Sequence, residues 1–137
     1  FRVEEGHPNC IEGLKRPLHT IIPGMVLDHN GLSSLSYGVM GGQYQPVGQV
    51  HVLNNILDFK MSPQQAITFP RAFHFNNVYK LEKEVSKEIK DGLSTIGHNA
   101  VHIDETHGGG QAIQIDRLKG NLIGGSDPRK DGYAKGY

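Results

Sequence analysis

Residues 38–55 read GVMGGQYQPVGQVHVLNN. An apolar, strand-like run, LSSLSYGVM (32–40), stops at Gly41-Gly42, and a helical pattern follows. Pro46 suits the first turn of a helix, where its missing N–H costs nothing. Val47, Val50, Leu53, Leu57 and Met61 then recur at spacings of three and four, which predicts a helix with one apolar stripe. Two adjacent glycines between such elements imply a conformation or a close approach that a Cβ would forbid. The approaching group is either packed backbone or a substrate.

Toward the N-terminus, IIPGMVL (21–27) and the run 32–40 flank DHNG (28–31). Asn30 and Gly31 both tolerate positive φ, which predicts an antiparallel hairpin. Residues 1–17 are polar and proline-containing, and read as an irregular lead-in. Toward the C-terminus, SPQQA (62–66) predicts a short helix with Ser62 as N-cap and Pro63 at the first position. After Pro70, RAFHF (71–75) and VYKLE (78–82) alternate like strands. LEKEVSKEIKDGLSTIG (81–97) predicts a helix burying Leu81, Val85, Ile89, Leu93 and Ile96, with Gly97 just past its end. NAVHID (99–104), QAIQID (111–116) and NLIGG (121–125) read as strands, the last two joined by RLKG, and a polar, turn-rich tail follows. Two strands, helices, two strands, a helix and three strands make an α+β layered domain.

The 137 residues fit one domain, and 18 glycines imply many tight turns. Fourteen basic residues balance fourteen acidic ones, which leaves no electrostatic footprint for nucleic acid or an anionic membrane. No apolar run approaches the roughly 18 residues of a membrane helix, and no signal-peptide pattern opens the chain. Cys10 stands alone and forms no internal disulfide, which does not fix the compartment. The chain starts at Phe1 rather than Met, in loop-like sequence, as if cut from something longer.

Among candidate sites, the glycine pair comes first. Consecutive N–H groups at a strand-to-helix junction form a concave donor pair beside the positive end of the helix dipole. That suits an oxyanion hole for acyl transfer, and equally a tight junction with no ligand. GGGQ (108–111) lacks the GK[ST] ending of a phosphate loop and reads as a flexible entry to a strand. His98 and His102 straddle a helix end and a strand, and His102 and His107 bracket Asp104 and Glu105. Neither spacing specifies a metal site. No serine sits in a GxSxG elbow, and Cys10 has no catalytic signature. Glu82, Glu84, Asp104 and Glu105 read as solvated charges. Arg129-Lys130 after Asp127-Pro128 serves either an anion or a self-bonded polar turn.

Six separated stretches together resemble one family. HPN (7–9), KRPLHTIIPGM (15–25), GVMGGQYQPVGQVHVLNN (38–55), PRAFHF (70–75), GGGQAI (108–113) and GGSDPRKDGYAKGY (124–137) are similar, in order, to the C-terminal part of γ-glutamyltransferases. The bacterial branch related to glutaryl-cephalosporin acylases is the nearest in pattern. The resemblance implies part of an N-terminal-nucleophile hydrolase, a four-layer αββα sandwich. There a precursor cleaves itself, and the new N-terminal Thr of the small subunit attacks a γ-glutamyl amide such as glutathione. Water or an acceptor amine resolves the acyl-enzyme. No metal or organic cofactor is implied.

By the same resemblance Gly41 and Gly42 supply the oxyanion-hole N–H groups. His19 and Thr20 fall where many members carry two serines that hold the substrate's α-carboxylate. Thr20 retains a hydroxyl donor, whereas His19 cannot copy a serine, a variant consistent with the acylase-like branch. The nucleophilic Thr of the family precedes the HPN segment. These residues alone are therefore expected to be inactive, completed by the preceding part of the small subunit and by the large subunit. A glutaryl-cephalosporin acylase-like amidohydrolase and a non-catalytic fragment or binding module are the alternatives. Exposed sheet edges and apolar faces would favour pairing with those missing parts or self-association.

Overall fold

The computed structural model describes residues 2–137; Phe1 lies outside the described residues. The predicted hairpin forms from β1 (Gly24–Leu27) and β2 (Ser33–Met40). Its turn is tied by Asp28 Oδ1, which accepts from the N–H of Asn30 at 2.9 Å and of Leu32 at 3.0 Å. β1 is shorter than the predicted 21–27. Pro23 has no N–H to give a ladder, and the Ile22 carbonyl accepts from Gln49 Nε2 instead.

The hairpin joins β6 (Gly109–Asp116) and β7 (Asn121–Ser126) in a four-stranded antiparallel sheet of order β1-β2-β6-β7. A second sheet contains β3 (Ala72–Phe75), β4 (Val78–Glu82) and β5 (Ala100–Ile103). β3 and β4 are antiparallel across Asn76 and Asn77, both at positive φ as a tight hairpin demands. β4 and β5 are parallel, so the connection crosses over through α3 (Lys87–Thr95). The α+β class holds.

α1 (Gln45–Leu57) and α2 (Pro63–Thr68) cover one face of the four-stranded sheet. Leu35, Val39 and Ala112 from the sheet meet Tyr44, Val52, Ile56, Ala66 and Ile67 in one buried cluster. α2 starts as predicted: Ser62 Oγ accepts from Gln65 N, and Gln65 Oε1 accepts from Ser62 N, a reciprocal capping box. α2 lies so close to β7 that a Cβ at Gly125 would sit 2.8 Å from the Gln64 nitrogen. The Gln64 amide also bonds Ser126 from both ends, donating to its carbonyl at 2.9 Å and accepting from its N–H at 3.0 Å.

Two predicted stripes are corrected. In α1 the buried face is Gly48, Gln49, Val52, Asn55 and Ile56, while Val47, Val50 and Leu57 are exposed. Gly48 decides this, because a Cβ there would overlap the Tyr44 ring and the Val39 side chain. Gln49 and Asn55 can be buried because each donates to a carbonyl, of Ile22 and Ala66. In the 81–97 segment, Leu81 and Glu82 belong to β4, opposite His102 and Ile103. The helix begins only after Ser86, whose Oγ accepts from Ile89 N at 3.3 Å, and it buries no residue fully. Ile89 and Ile96 are exposed.

The other face of the four-stranded sheet carries Met25, Met40 and Ile113, all exposed. Met25 and Ile113 flank Ser36 in register. An α layer on a β layer is therefore complete, and the opposite side of the β layer is apolar and open.

Candidate active site

Gly41 leaves β2 at φ 142 and Gly42 follows at φ 58, both in the region glycine favours. Gly42 opens a single 3-10 turn, Gly42–Tyr44, that runs directly into α1. The first N–H groups of a helical run have no partner within it. Among the described residues nothing accepts the Gly42 N–H. A Cβ on Gly42 would meet nothing within 4 Å. The donor is thus left without a partner at the positive end of the helix dipole.

The two glycines have different physical reasons. A Cβ at Gly41 would lie 2.9 Å from the Gly108 Cα, backbone against backbone. Gly108 is itself at φ 57, and a Cβ there would overlap the Met40 carbonyl and come within 2.8 Å of Tyr44 Cδ1. The GGGQ stretch is therefore no loose entry. Gly109 and Gly110 are buried strand residues, and Gly108 is the surface on which Gly41 rests.

Behind the pair, the buried Tyr44 ring stacks on His107 at 5.3 Å and meets Phe73 edge-on at 5.4 Å. Burial pushes the Tyr44 phenol up to about 12. Burial also holds the His107 imidazole below its ordinary value. His107 Nε2 lies 3.2 Å from the Lys80 carbonyl, an acceptor only, so that nitrogen carries the proton.

Sequence reasoning missed what fixes this wall. Arg71, with no solvent exposure, donates to Asp127 Oδ2 at 2.6 Å, to the His107 carbonyl at 2.6 Å and to the Ile67 carbonyl at 3.0 Å. Asp127 Oδ2 also accepts the Gly110 N–H at 2.7 Å. Glu82 accepts the N–H groups of Arg71 and His107 at 3.0 and 2.9 Å, and both ends of the Arg129 guanidinium. Burial works to raise both carboxyls. For Glu82 the Arg129 hydrogen bond, with two backbone N–H groups, overcomes it; for Asp127 the Arg71 charge does, and both sit below the ordinary range. The Arg129 turn is self-bonded as one reading had it, through Arg129 N to Asp127 Oδ1 at 3.0 Å. Glu82, read as solvated, is buried. No local pattern could reveal these pairs, since their members lie in different elements. The network holds His107 and Gly110 on either side of Gly108.

His19 and Thr20 lie in the exposed segment before β1. Among the described residues no hydrogen bond joins them to the glycine pair. The paired register of β1 begins only at Gly24, beyond both residues, so the described pairing does not bring them to the glycine pair. His102 Nε2 bonds the Val85 carbonyl at 2.8 Å, and the described residues contain no group of three or more metal-ligating side chains. Nor does any described serine, threonine or cysteine hydrogen-bond a histidine. An unpartnered N–H at the start of a helical run can stabilise negative charge on an oxygen.

The model of the gamma-glutamyltranspeptidase family matches residues 1–137. The chain is 35% identical over 145 residues to the glutathione hydrolase-like YwrD proenzyme of Bacillus subtilis, a match covering 99% of this chain and 27% of that protein. Among solved structures, the cephalosporin acylase from Bacillus halodurans aligns with a TM-score of 0.81 at 34% identity, over 100% of this chain and 26% of that one. A mutant gamma-glutamyltranspeptidase of Helicobacter pylori aligns with a TM-score of 0.75 at 31% identity, over 90% of this chain and 68% of that one. The chain thus spans only 27% of the length of its Bacillus subtilis relative.

Proposed function

Because the chain belongs to the gamma-glutamyltranspeptidase family, we propose that it is the C-terminal section of the small subunit of an enzyme that cleaves γ-glutamyl amides. The nucleophile, an N-terminal Thr, is supplied by polypeptide outside these residues. Its hydroxyl attacks the amide carbonyl and its own amino group takes the proton. The carbonyl oxygen becomes an oxyanion and accepts the N–H groups of Gly42 and its neighbour Gly41. Collapse of the tetrahedral adduct expels the amine, which receives the proton, and leaves an acyl ester. Water or an acceptor amine then attacks the ester, and the same N–H groups hold the second oxyanion. Thr20 donates its hydroxyl to the acyl donor's carboxylate, and His19 shapes the same end of the pocket. No metal or organic cofactor takes part.

The observation that carries this reading is the unpartnered Gly42 N–H at the start of a helical run. A second reading, an acylase of longer dicarboxylic acyl amides, draws support from His19 and from the likeness to the cephalosporin acylase. The test uses the full-length protein. Gly42→Val keeps the N–H but cannot hold φ 58 without strain, so it should turn the donor away and lower kcat about 100- to 1000-fold, the usual cost of losing one oxyanion donor. An unchanged kcat would sink the assignment. Comparing kcat/KM for γ-glutamyl and glutaryl amides chooses between the two donors. Turnover of neither would favour the non-catalytic reading.

A further inference from the structure

The orientation of the glycine pair is not set by the pair itself. Gly41 has no side chain to anchor it, and Gly42 touches nothing that a Cβ would meet. The one surface that meets Gly41 closely is the Gly108 backbone, 2.9 Å from where a Gly41 Cβ would be. On its other side Gly108 presses on the Met40 carbonyl, one peptide before the pair. The chain on either side of it is pinned: the adjacent His107 by its N–H to Glu82, its carbonyl to Arg71 and its stack on Tyr44, and Gly110, two residues on, by its N–H to Asp127. Gly108 thus transmits a fixed position from a buried ionic network to a mobile-by-nature glycine junction.

We propose that Gly108 is a positioning residue for the acyl-transfer reaction, the backbone seat that aims the Gly41–Gly42 N–H groups at the developing oxyanion. This rests on the oxyanion reading of the pair. A methyl group at position 108 would overlap the Met40 carbonyl oxygen and lie 2.8 Å from Tyr44 Cδ1, so the Met40–Gly41 peptide or the Tyr44 ring that backs Gly41 must shift by about an ångström to restore ordinary contact. A misplacement of that size at a reacting centre costs on the order of 100-fold in rate. Substrate binding, which relies on groups other than these N–H donors, should be spared.

The test compares Gly108→Ala with Gly109→Ala in the full-length, mature enzyme. A Cβ at Gly109 meets side-chain atoms of Lys130 and Met40, which can swing aside. Two quantities are read: the kcat and KM of the preferred amide, and the inhibition constant of the boronic acid that replaces its scissile amide. The boronic acid forms a tetrahedral, negatively charged adduct with the nucleophile and so reports on oxyanion binding. Gly108→Ala is expected to lower kcat about 100-fold, to leave KM within a few-fold, and to weaken the boronic acid in proportion to kcat. Gly109→Ala should resemble the wild type. If Gly108→Ala yields no folded enzyme, Tyr44→Leu replaces it, since the Tyr44 ring backs both Gly41 and Gly108. It should lower kcat and boronic acid affinity together, by about tenfold. Wild-type kcat and inhibition in the variant, or a loss of kcat with inhibition unchanged, would overturn the positioning role. Gly42→Val separates the two ideas. If Gly42→Val is also unaffected, the oxyanion reading fails; if it alone is inactive, only the role of Gly108 fails.

Discussion

Arg129 grips Glu82 at two points, Nη2 to Oε2 at 2.6 Å and Nε to Oε1 at 2.9 Å, although 47 residues separate them. Glu82 is buried and the Arg129 side chain nearly so. Desolvating two such charges is costly, so the pair as a whole adds little stability over an apolar equivalent, whereas removing one member strands the other. Glu82→Gln should lower the unfolding free energy by about 3–5 kcal/mol. The double variant with Arg129→Met should recover part of that. Urea denaturation of the wild type and both variants checks the prediction; equal losses in the single and double variants would contradict it.

The same network sets an acid limit. Glu82 and Asp127 titrate below their ordinary range when folded, so the unfolded chain takes up protons first as pH falls. Their contribution is therefore complete above the ordinary carboxylate range, near pH 4, and is lost below it. His107 and His51 are also depressed, by burial, so their contribution is complete above about pH 6.5 and declines on acidification. Denaturation midpoints should fall in two stages, one below about pH 6.5 and a steeper one below about pH 4. Glu82→Gln should blunt the second stage.

The glycine pair should separate under substitution by alanine. Gly41→Ala places a methyl against Gly108 at an unfavourable φ, which should cost about 2–3 kcal/mol of stability. Gly42→Ala enters open space and carries only the left-handed penalty, about 1 kcal/mol. Thermal unfolding of the two variants measures the difference, and equal shifts would show that the Gly108 contact does not matter.

An uncovered apolar face has its own signature. Met25, Met40 and Ile113 lie together on the open side of the β layer. The 137-residue chain alone should therefore run as an oligomer of its 15.1 kDa unit. Ile113→Lys should shift it toward the monomer in native mass measurements. A wild-type chain that stays monomeric at high concentration would count against this.

Much of the fold was readable because its signals are local. Asn30-Gly31 with Asp28 makes a turn within five residues, and Ser62, Pro63 and Gln65 mark a helix start within four. The inner face of α1 was not readable, because it is built from Gly48, Gln49 and Asn55, whose fitness for burial depends on Tyr44, Ile22 and Ala66. Glu82 followed the same rule: a carboxylate in a run of charges looks solvated until Arg129 is brought to it. The glycine pair stood out by pattern, whereas Gly108 looked like slack in the chain. Its importance comes from tertiary approach, which leaves no mark in the neighbouring sequence.

The amide of Gln64 occupies both hydrogen-bonding groups of Ser126 at the end of β7. A side chain is standing where the next strand's backbone would be. Any polypeptide that lengthens this sheet along β7 must stop short of Ser126, so that border is partly sealed from within. Along β1, at Gly24–Leu27, the one side-chain hydrogen bond to the backbone among the described residues comes from Ser34 of the adjoining β2, to the Val26 carbonyl at 3.1 Å. Any enlargement of the sheet is thereby directional: the chain carries, in one glutamine, an instruction about which flank stays open to a further strand.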